Sequence, residues 1–182
     1  MITASHNPTP WNGLKLLDGN GTAPPASTAS EIIERFKSDD PIPSSDVTPA
    51  VLSETRGHDT HVAKVLGQID PVPIRSFAFK VVLDSVNGAG GPAGSQLLGH
   101  LGCQLHHVNA ETDGLFAHPP EPKEENLLEL CEVVKTTGAV VGFAQDPDAD
   151  RLAIVDELGR YIGEEYTLAP VSYTHLTLPT KA

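Results

Sequence analysis

Asp146-Pro147-Asp148-Ala149-Asp150-Arg151 sets three carboxylates at alternate positions and closes them with an arginine. The stretch lies between two apolar runs, residues 139–144 and 152–155, whose composition predicts β-strands. A tight loop between strands turns alternate side chains toward one point, where three carboxylates repel one another unless a cation sits among them. The ligands on offer are hard oxygens, with no His or Cys close by, so the chemistry favours Mg²⁺ or Ca²⁺ over zinc. Arg151 adds a planar fork suited to phosphate or carboxylate oxygens. Asp and Pro are also ordinary turn residues, so an acidic surface turn stands beside the metal reading.

An EF-hand is excluded. Asp146, Asp148, Asp150 and Glu157 do fall at positions 1, 3, 5 and 12 of such a loop. Arg151, however, occupies the place where the loop needs Gly for its sharp turn, and a β-branched run follows. No amphipathic helix precedes Asp146.

The 182 residues suffice for one ordinary domain, or for one domain and part of another. A hydrophobic content of 39% supports a core, while 16 Gly and 16 Pro imply many turns. A formal net charge of −12 argues against nucleic acid as a partner and against an anionic membrane surface. An acidic protein that handles phosphates would need local positive charge from a metal and a few placed basic residues. Cys103 and Cys131 lack metal-ligand spacing and suggest buried thiols, so a reducing, cytoplasmic location is expected. The sequence carries no signal-peptide pattern and no apolar run long enough to span a membrane.

Working outward, the region from Phe77 reads strand–helix–strand–helix–strand. A near-continuous apolar run at 79–83 suits a buried parallel strand. Gly-rich residues 87–91 form a turn, with Pro92 placed at the first position of a helix over 92–101 that Gly102 can end. Residues 104–108 form the next strand. The clearest helix covers 124–137, with Leu127, Leu130, Cys131 and Val134 inward and Gly138 closing it. The strand at 139–144 then delivers the acidic loop at its C-terminal end, where open α/β sheets place their ligands. Upstream, a helix near 60–69 presents Val62, Val65, Leu66 and Ile69 on one face and stops at Pro71 and Pro73. Residues 38–57 are polar and proline-bearing and read as a linker. Before them, Ser30 can cap a helix over 31–37 that buries Ile32, Ile33 and Phe36. Residues 14–17 form a short strand carrying Lys15, and residues 1–4 end another, so a truncated N-terminus is expected. Residues 171–182 lack the pattern of what precedes them and resemble the translation of a transposase-adapter end; they read as a non-native tail.

Two further stretches carry chemistry. Thr3-Ala4-Ser5-His6-Asn7-Pro8 puts a hydroxyl beside an imidazole in a proline-closed loop. Ser5 could be a hydrolase nucleophile, a phosphoryl carrier or turn filler. The hydrolase reading is weak because the flanking glycines of a nucleophile elbow are missing and neighbouring side chains seldom meet. Gly88-Ala89-Gly90-Gly91-Pro92-Ala93 matches the loose dinucleotide pattern after a strand, with Glu111 near the place of a ribose-binding acid. A tight strand-to-helix turn explains the same glycines, and a non-catalytic nucleotide-binding module is the alternative function.

Taken together, the pieces resemble the α-D-phosphohexomutase superfamily of phosphoglucomutases, phosphomannomutases and phosphoglucosamine mutases. The match rests on four stretches in order: residues 3–8 with Asn12-Gly13-Leu14-Lys15, then 81–91, then 113–127, then 146–151 followed by 155–163. The resemblance implies an α/β fold. In it, a mixed or parallel sheet flanked by helices over 58–157 (domain 2) follows an incomplete α/β domain 1 over 1–40 and a linker over 41–57. Residues 158–170 would begin domain 3, and the rest of domain 3 and domain 4 would be absent. It implies an intramolecular phosphotransferase that moves a phosphoryl group between the 6- and 1-positions of a hexose phosphate. Ser5 would be the phosphoserine, binding one Mg²⁺ together with Asp146, Asp148 and Asp150. Arg151 would steady the phosphoserine, His6 would line the site, and Lys15 would transfer a proton to or from the sugar hydroxyl. A sugar 1,6-bisphosphate would be intermediate and activator. Pro147 departs from the commonest family loop, which has Gly there. The portion that selects a sugar is not in this chain, so the fragment itself is expected to be inactive.

Overall fold

The computed structural model describes residues 1–38, 41, 50, 52–54 and 56–167. Most of the linker expected at 41–57, the end of the segment expected at 158–170, and the tail at 171–182 lie outside the described residues.

At the centre is a four-stranded mixed sheet in the order β2-β1-β3-β4. Strand β1 (Lys80–Asp84) pairs in parallel with β2 (Gln104–Val108) on one side and with β3 (Val141–Gln145) on the other. Strand β4 (Leu152–Asp156) returns antiparallel to β3. Because β1 is central, four of its five residues are buried, which explains its unbroken apolar run. Alternation along the strands gives the sheet two distinct faces. On one, Val82, Ala144, Ala153 and Val155 form the main core with Leu127, Leu130 and Val134 of the segment leading into and through helix α5 (Leu128–Thr137). Gly142 sits beneath that helix: a Cβ there would lie 2.6 Å from Val134 Cγ2. On the other face Leu83 meets Gly94 of helix α4 (Gly91–His100), and helix α2 (Gly57–Leu66) packs outside α4. The result is helix, sheet, helix. Among the described residues no helix is long and apolar enough to cross a membrane.

Several expectations are corrected. The helix expected near 60–69 runs from Gly57 to Leu66 and ends at Gly67, leaving Ile69 outside it and exposed. Pro71 and Pro73 do not stop it but open a missed helix, α3 (Pro71–Phe77). Asp70 caps it by accepting the Val72 N–H at 3.0 Å, and Pro71 sits where a helix has no use for an N–H. The helix expected over 124–137 is broken into a 3₁₀ turn, Glu124–Asn126, and α5, with buried Leu127 at the joint. Helix α1 begins at Ala26 behind Pro25 and runs to Lys37, so Ser30 lies inside it and its hydroxyl donates back to the Ala26 carbonyl at 2.9 Å. It buries none of its residues: Ile32, Ile33 and Phe36 are exposed, Phe36 to 88%. The short strands expected near Met1 and Lys15 reduce to an antiparallel bridge between Ile2 and Leu14.

Leu130 is fully buried between α5 and the sheet. Leu130→Ala is expected to destabilise the sheet domain by about 2–5 kcal/mol, read from the urea midpoint followed by circular dichroism.

Candidate metal and phosphoryl site

The β3–β4 hairpin makes the acidic loop. Gln145 and Leu152 are paired across it, leaving Asp146 to Arg151 as the connection. Asp146 is fully buried, and its Oδ1 accepts the Arg151 N–H at 3.0 Å, closing the loop on itself. Ala149, at φ +58, turns the chain between Asp148 and Asp150. One oxygen from each of Asp146, Asp148 and Asp150 can be chosen so that all lie within 4.8 Å of one another. A hard divalent cation with ligands at about 2.0–2.6 Å can span that spread. Two buried oxygens, Asp146 Oδ2 and Asp148 Oδ1, have no hydrogen-bond partner. An orphaned buried carboxylate oxygen is costly unless a cation takes it, so the donor set fits such an ion.

The glycine-rich turn is what holds this loop in place. The Ala89 N–H donates to the Pro147 carbonyl at 2.8 Å, and a Cβ on Gly88 would lie 2.7 Å from Pro147 Cα. At Gly90 a Cβ would fall 2.4 Å from the Ala149 Cβ. Backbone approach to the acidic loop therefore accounts for these glycines without a dinucleotide. The same turn anchors the loop after β2. Asn87, at φ +56, donates its N–H to the Asn109 carbonyl and its Nδ2 to the Leu115 carbonyl, and accepts the Glu111 N–H on Oδ1. Buried Asp84 accepts from the Val86 N–H and Asn109 Nδ2 and pairs with His118 Nε2 at 3.0 Å. Burial depresses the His118 pKa, but the Asp84 carboxylate outweighs it and raises it overall.

The serine loop reaches the same place from the other end of the chain. Ser5 and Asp148 line one cavity of about 700 Å³, together with Asn12, Gly88 and Asp113. Ser5 stands at φ +52, and that left-handed turn brings its Oγ to 3.2 Å from His6 Nδ1, a contact the sequence reading did not expect. Lys15 Nζ lies 3.4 Å from Asp148 Oδ2 and 3.6 Å from Asp150 Oδ2. Arg151 turns its guanidinium toward Glu164, with Nη1 at 3.6 Å from Oε1. Thr3, given no role by the sequence, donates to Asp148 Oδ2 at 2.8 Å and accepts the Ser5 N–H at 2.9 Å. A threonine two residues before a candidate nucleophile was the available signal; only the fold shows its second partner.

Charge follows from this geometry. Burial, then the neighbouring Asp148 and Asp150 charges, push the Asp146 carboxyl up to about 6, against the Arg151 N–H that favours ionisation. Asp148 is also raised by burial, but the Thr3 hydroxyl and Lys15 bring it below the usual carboxylate range. Asp148, through its hydrogen bond and charge, raises the Lys15 ammonium's pKa.

A model of the phosphoglucomutase/phosphomannomutase alpha/beta/alpha domain II matches residues 59–159, and the domain I model of the same family matches residues 1–42. A phosphoglucomutase/phosphomannomutase of Thermococcus kodakarensis is 40% identical over 176 residues, covering 94% of this chain and 38% of the relative. A phosphoglucosamine/phosphogalactosamine mutase of Sulfurisphaera tokodaii is 37% identical over 163 residues, covering 88% of this chain and 36% of the relative. The crystal structure of a phosphoglucomutase/phosphomannomutase family protein from Burkholderia thailandensis superposes with a TM-score of 0.71 at 28% identity, over 97% of this chain and 37% of that one. Parafusin, a phosphoglucomutase from Paramecium, shares the fold with a TM-score of 0.62 at 21% identity, over 86% of this chain and 35% of its own. The chain thus spans well under half the length of these relatives.

Two outcomes follow from the site's charge. A carboxyl whose folded pKa lies above its unfolded value of 3.8 weakens the metal-free fold as pH rises from about 4 to about 6, and the loss is complete above that. Asp146→Asn keeps the Oδ1 acceptor and removes the buried charge. It is expected to stabilise the metal-free chain at pH 7.5 by about 1–3 kcal/mol, with no gain below pH 4, and to abolish the Mg²⁺-dependent rise in Tm. Lys15→Met removes a cation that competes for the same carboxylates, so calorimetry should show Mg²⁺ binding about threefold to tenfold tighter.

Proposed function

This chain belongs to the phosphoglucomutase/phosphomannomutase family, and on that premise we propose that it is the phosphoryl-carrying and metal-holding part of a phosphosugar mutase. The reaction is transfer between the 6- and 1-positions of a hexose phosphate, with Ser5 as the carrier and a sugar 1,6-bisphosphate as the species between two transfers. What supports this most directly is convergence. The serine loop meets the acidic loop across 145 residues at the Thr3–Asp148 hydrogen bond, and Ser5 and Asp148 line one cavity.

In the first transfer the phosphorus–oxygen bond at Ser5 breaks, a bond forms to the sugar hydroxyl oxygen, and that hydroxyl's proton passes to a base, the role open to Lys15 in its neutral form. In the second, the bisphosphate returns its other phosphoryl group to Ser5. A serine carrier divides one difficult isomerisation into two like steps. Asp146, Asp148 and Asp150, with the phosphate on Ser5, would hold Mg²⁺. Its chemistry there is neutralisation of charge on the transferred oxygens, the main demand of phosphoryl transfer. Lys15 is charged while it pairs with Asp148 and Asp150, which make it hold its proton more firmly. Release from them would lower its hold on that proton, which exchange with the sugar hydroxyl requires. His6, 3.2 Å from the Ser5 oxygen, orients that hydroxyl when the serine is free. Arg151 is the cation for the phosphate, once its guanidinium leaves Glu164.

Sugar binding aligns the reacting atoms in such a reaction, and distant contacts supply much of that alignment. With the relatives' remaining length absent, the chain alone is expected to turn over little or no hexose phosphate. It should still accept a phosphoryl group. Incubation with a hexose 1,6-bisphosphate and Mg²⁺ is expected to add one phosphate at Ser5, located by tandem mass spectrometry, and to add none to Ser5→Ala. Modification at another residue, or equal labelling of the variant, would overturn the assignment.

A further inference from the structure

We propose that Thr3 is a positioning residue that sets the serine oxygen against the metal-holding loop, one hydroxyl bonding both partners at once. The inference rests on the function proposed above. Thr3 Oγ1 donates its only proton to Asp148 Oδ2 at 2.8 Å and accepts the Ser5 N–H at 2.9 Å. A single oxygen atom thus joins the backbone of the candidate carrier to the side chain of a candidate metal ligand.

Three features make this more than a surface hydrogen bond. First, it has a direction: with its proton committed to a carboxylate, the Thr3 oxygen presents a lone pair to Ser5. Second, Ser5 sits at φ +52, a left-handed backbone that a non-glycine residue adopts only at a cost. The Thr3 acceptor and the one-turn bond from Asn7 N–H to the Ala4 carbonyl are what hold that turn. Third, the bond to Oδ2 fixes the Asp148 carboxylate so that its buried Oδ1 is left without a protein partner. When a cation draws electron density toward Oδ1, the acceptor strength of Oδ2 changes, and Thr3 passes that change to the Ser5 amide. Lys15 also touches Oδ2, but at 3.4 Å and half exposed, and it has no hydrogen bond to the serine loop.

The test uses the 182-residue chain, ¹⁵N-labelled, titrated with MgCl₂ and followed by amide NMR. In the unmodified chain the Ser5 amide is expected to move along the same isotherm as the Asp148 and Asp150 amides. In Thr3→Val, which keeps the shape and loses the hydroxyl, the Asp150 amide should still respond with about threefold to tenfold weaker binding, and the Ser5 amide should fall silent. Thr3→Ser restores the hydroxyl and should restore the Ser5 response, which a role in packing the methyl alone would not allow. Should Thr3→Val disturb the N-terminal segment, Thr3→Ser decides: loss of the Ser5 response there overturns the proposal, as does its survival in Thr3→Val. Absence of any Mg²⁺ response at Asp146, Asp148 and Asp150 in the unmodified chain would overturn the function reading itself.

Discussion

Three carboxylates are confined to a volume a few ångströms across, and the surrounding structure is arranged to keep them there. Mutual repulsion would open a loop of this kind if its backbone were free. It is not free: the paired strands β3 and β4 fix both ends, the Arg151 N–H ties the loop to Asp146, and the Gly88–Ala89 backbone presses on Pro147. The close approach explains why the turn after β1 must lack side chains at two positions. It also explains why a proline is tolerated at 147, where the carbonyl is the group in use and the missing N–H leaves no bond unmade.

The same turn works in two directions. From Asn87 it anchors the segment after β2, and from Ala89 it anchors the acidic loop, so the wall and the floor of the cavity share one support. Val86 and Asn87 both adopt left-handed backbone there, and a β-branched residue does so only under compulsion. The compulsion is visible in Asp84, whose buried carboxylate accepts the Val86 N–H and binds His118 on the far side of the same segment. Strain near the site is thus balanced by buried polar contacts directly beneath it.

Much of this was legible in the residues. The apolar run of β1, the turn at Gly88 and the caps at Gly102 and Gly138 announce a strand–helix–strand unit through local rules alone. The alternating acids announce their loop by charge. What stayed hidden depends on distant partners. Asp70 and Pro71 open a helix that reads as a stop when prolines are judged one at a time, because only the Asp70 side chain shows which end is meant. The apolar stripe of α1 predicts burial, but a stripe is buried only if something covers it, and among the described residues α1 buries nothing. Thr3 could not be singled out at all, since its importance lies in an acceptor far along the chain. The His6 contact was missed for a simpler reason: adjacency argues against it unless the backbone turns left-handed at Ser5.

The span of the Thr3–Asp148 bond has a consequence for how such a chain is made. Synthesis runs from the amino end, so Thr3 is in place 145 residues before its partner Asp148 is joined. At about 5–20 residues per second that is roughly 7–30 s. Closing so large a loop brings little reward until β3 and β4 have formed, so the serine loop and the carboxylates meet only after the hairpin that carries Asp148 is in place.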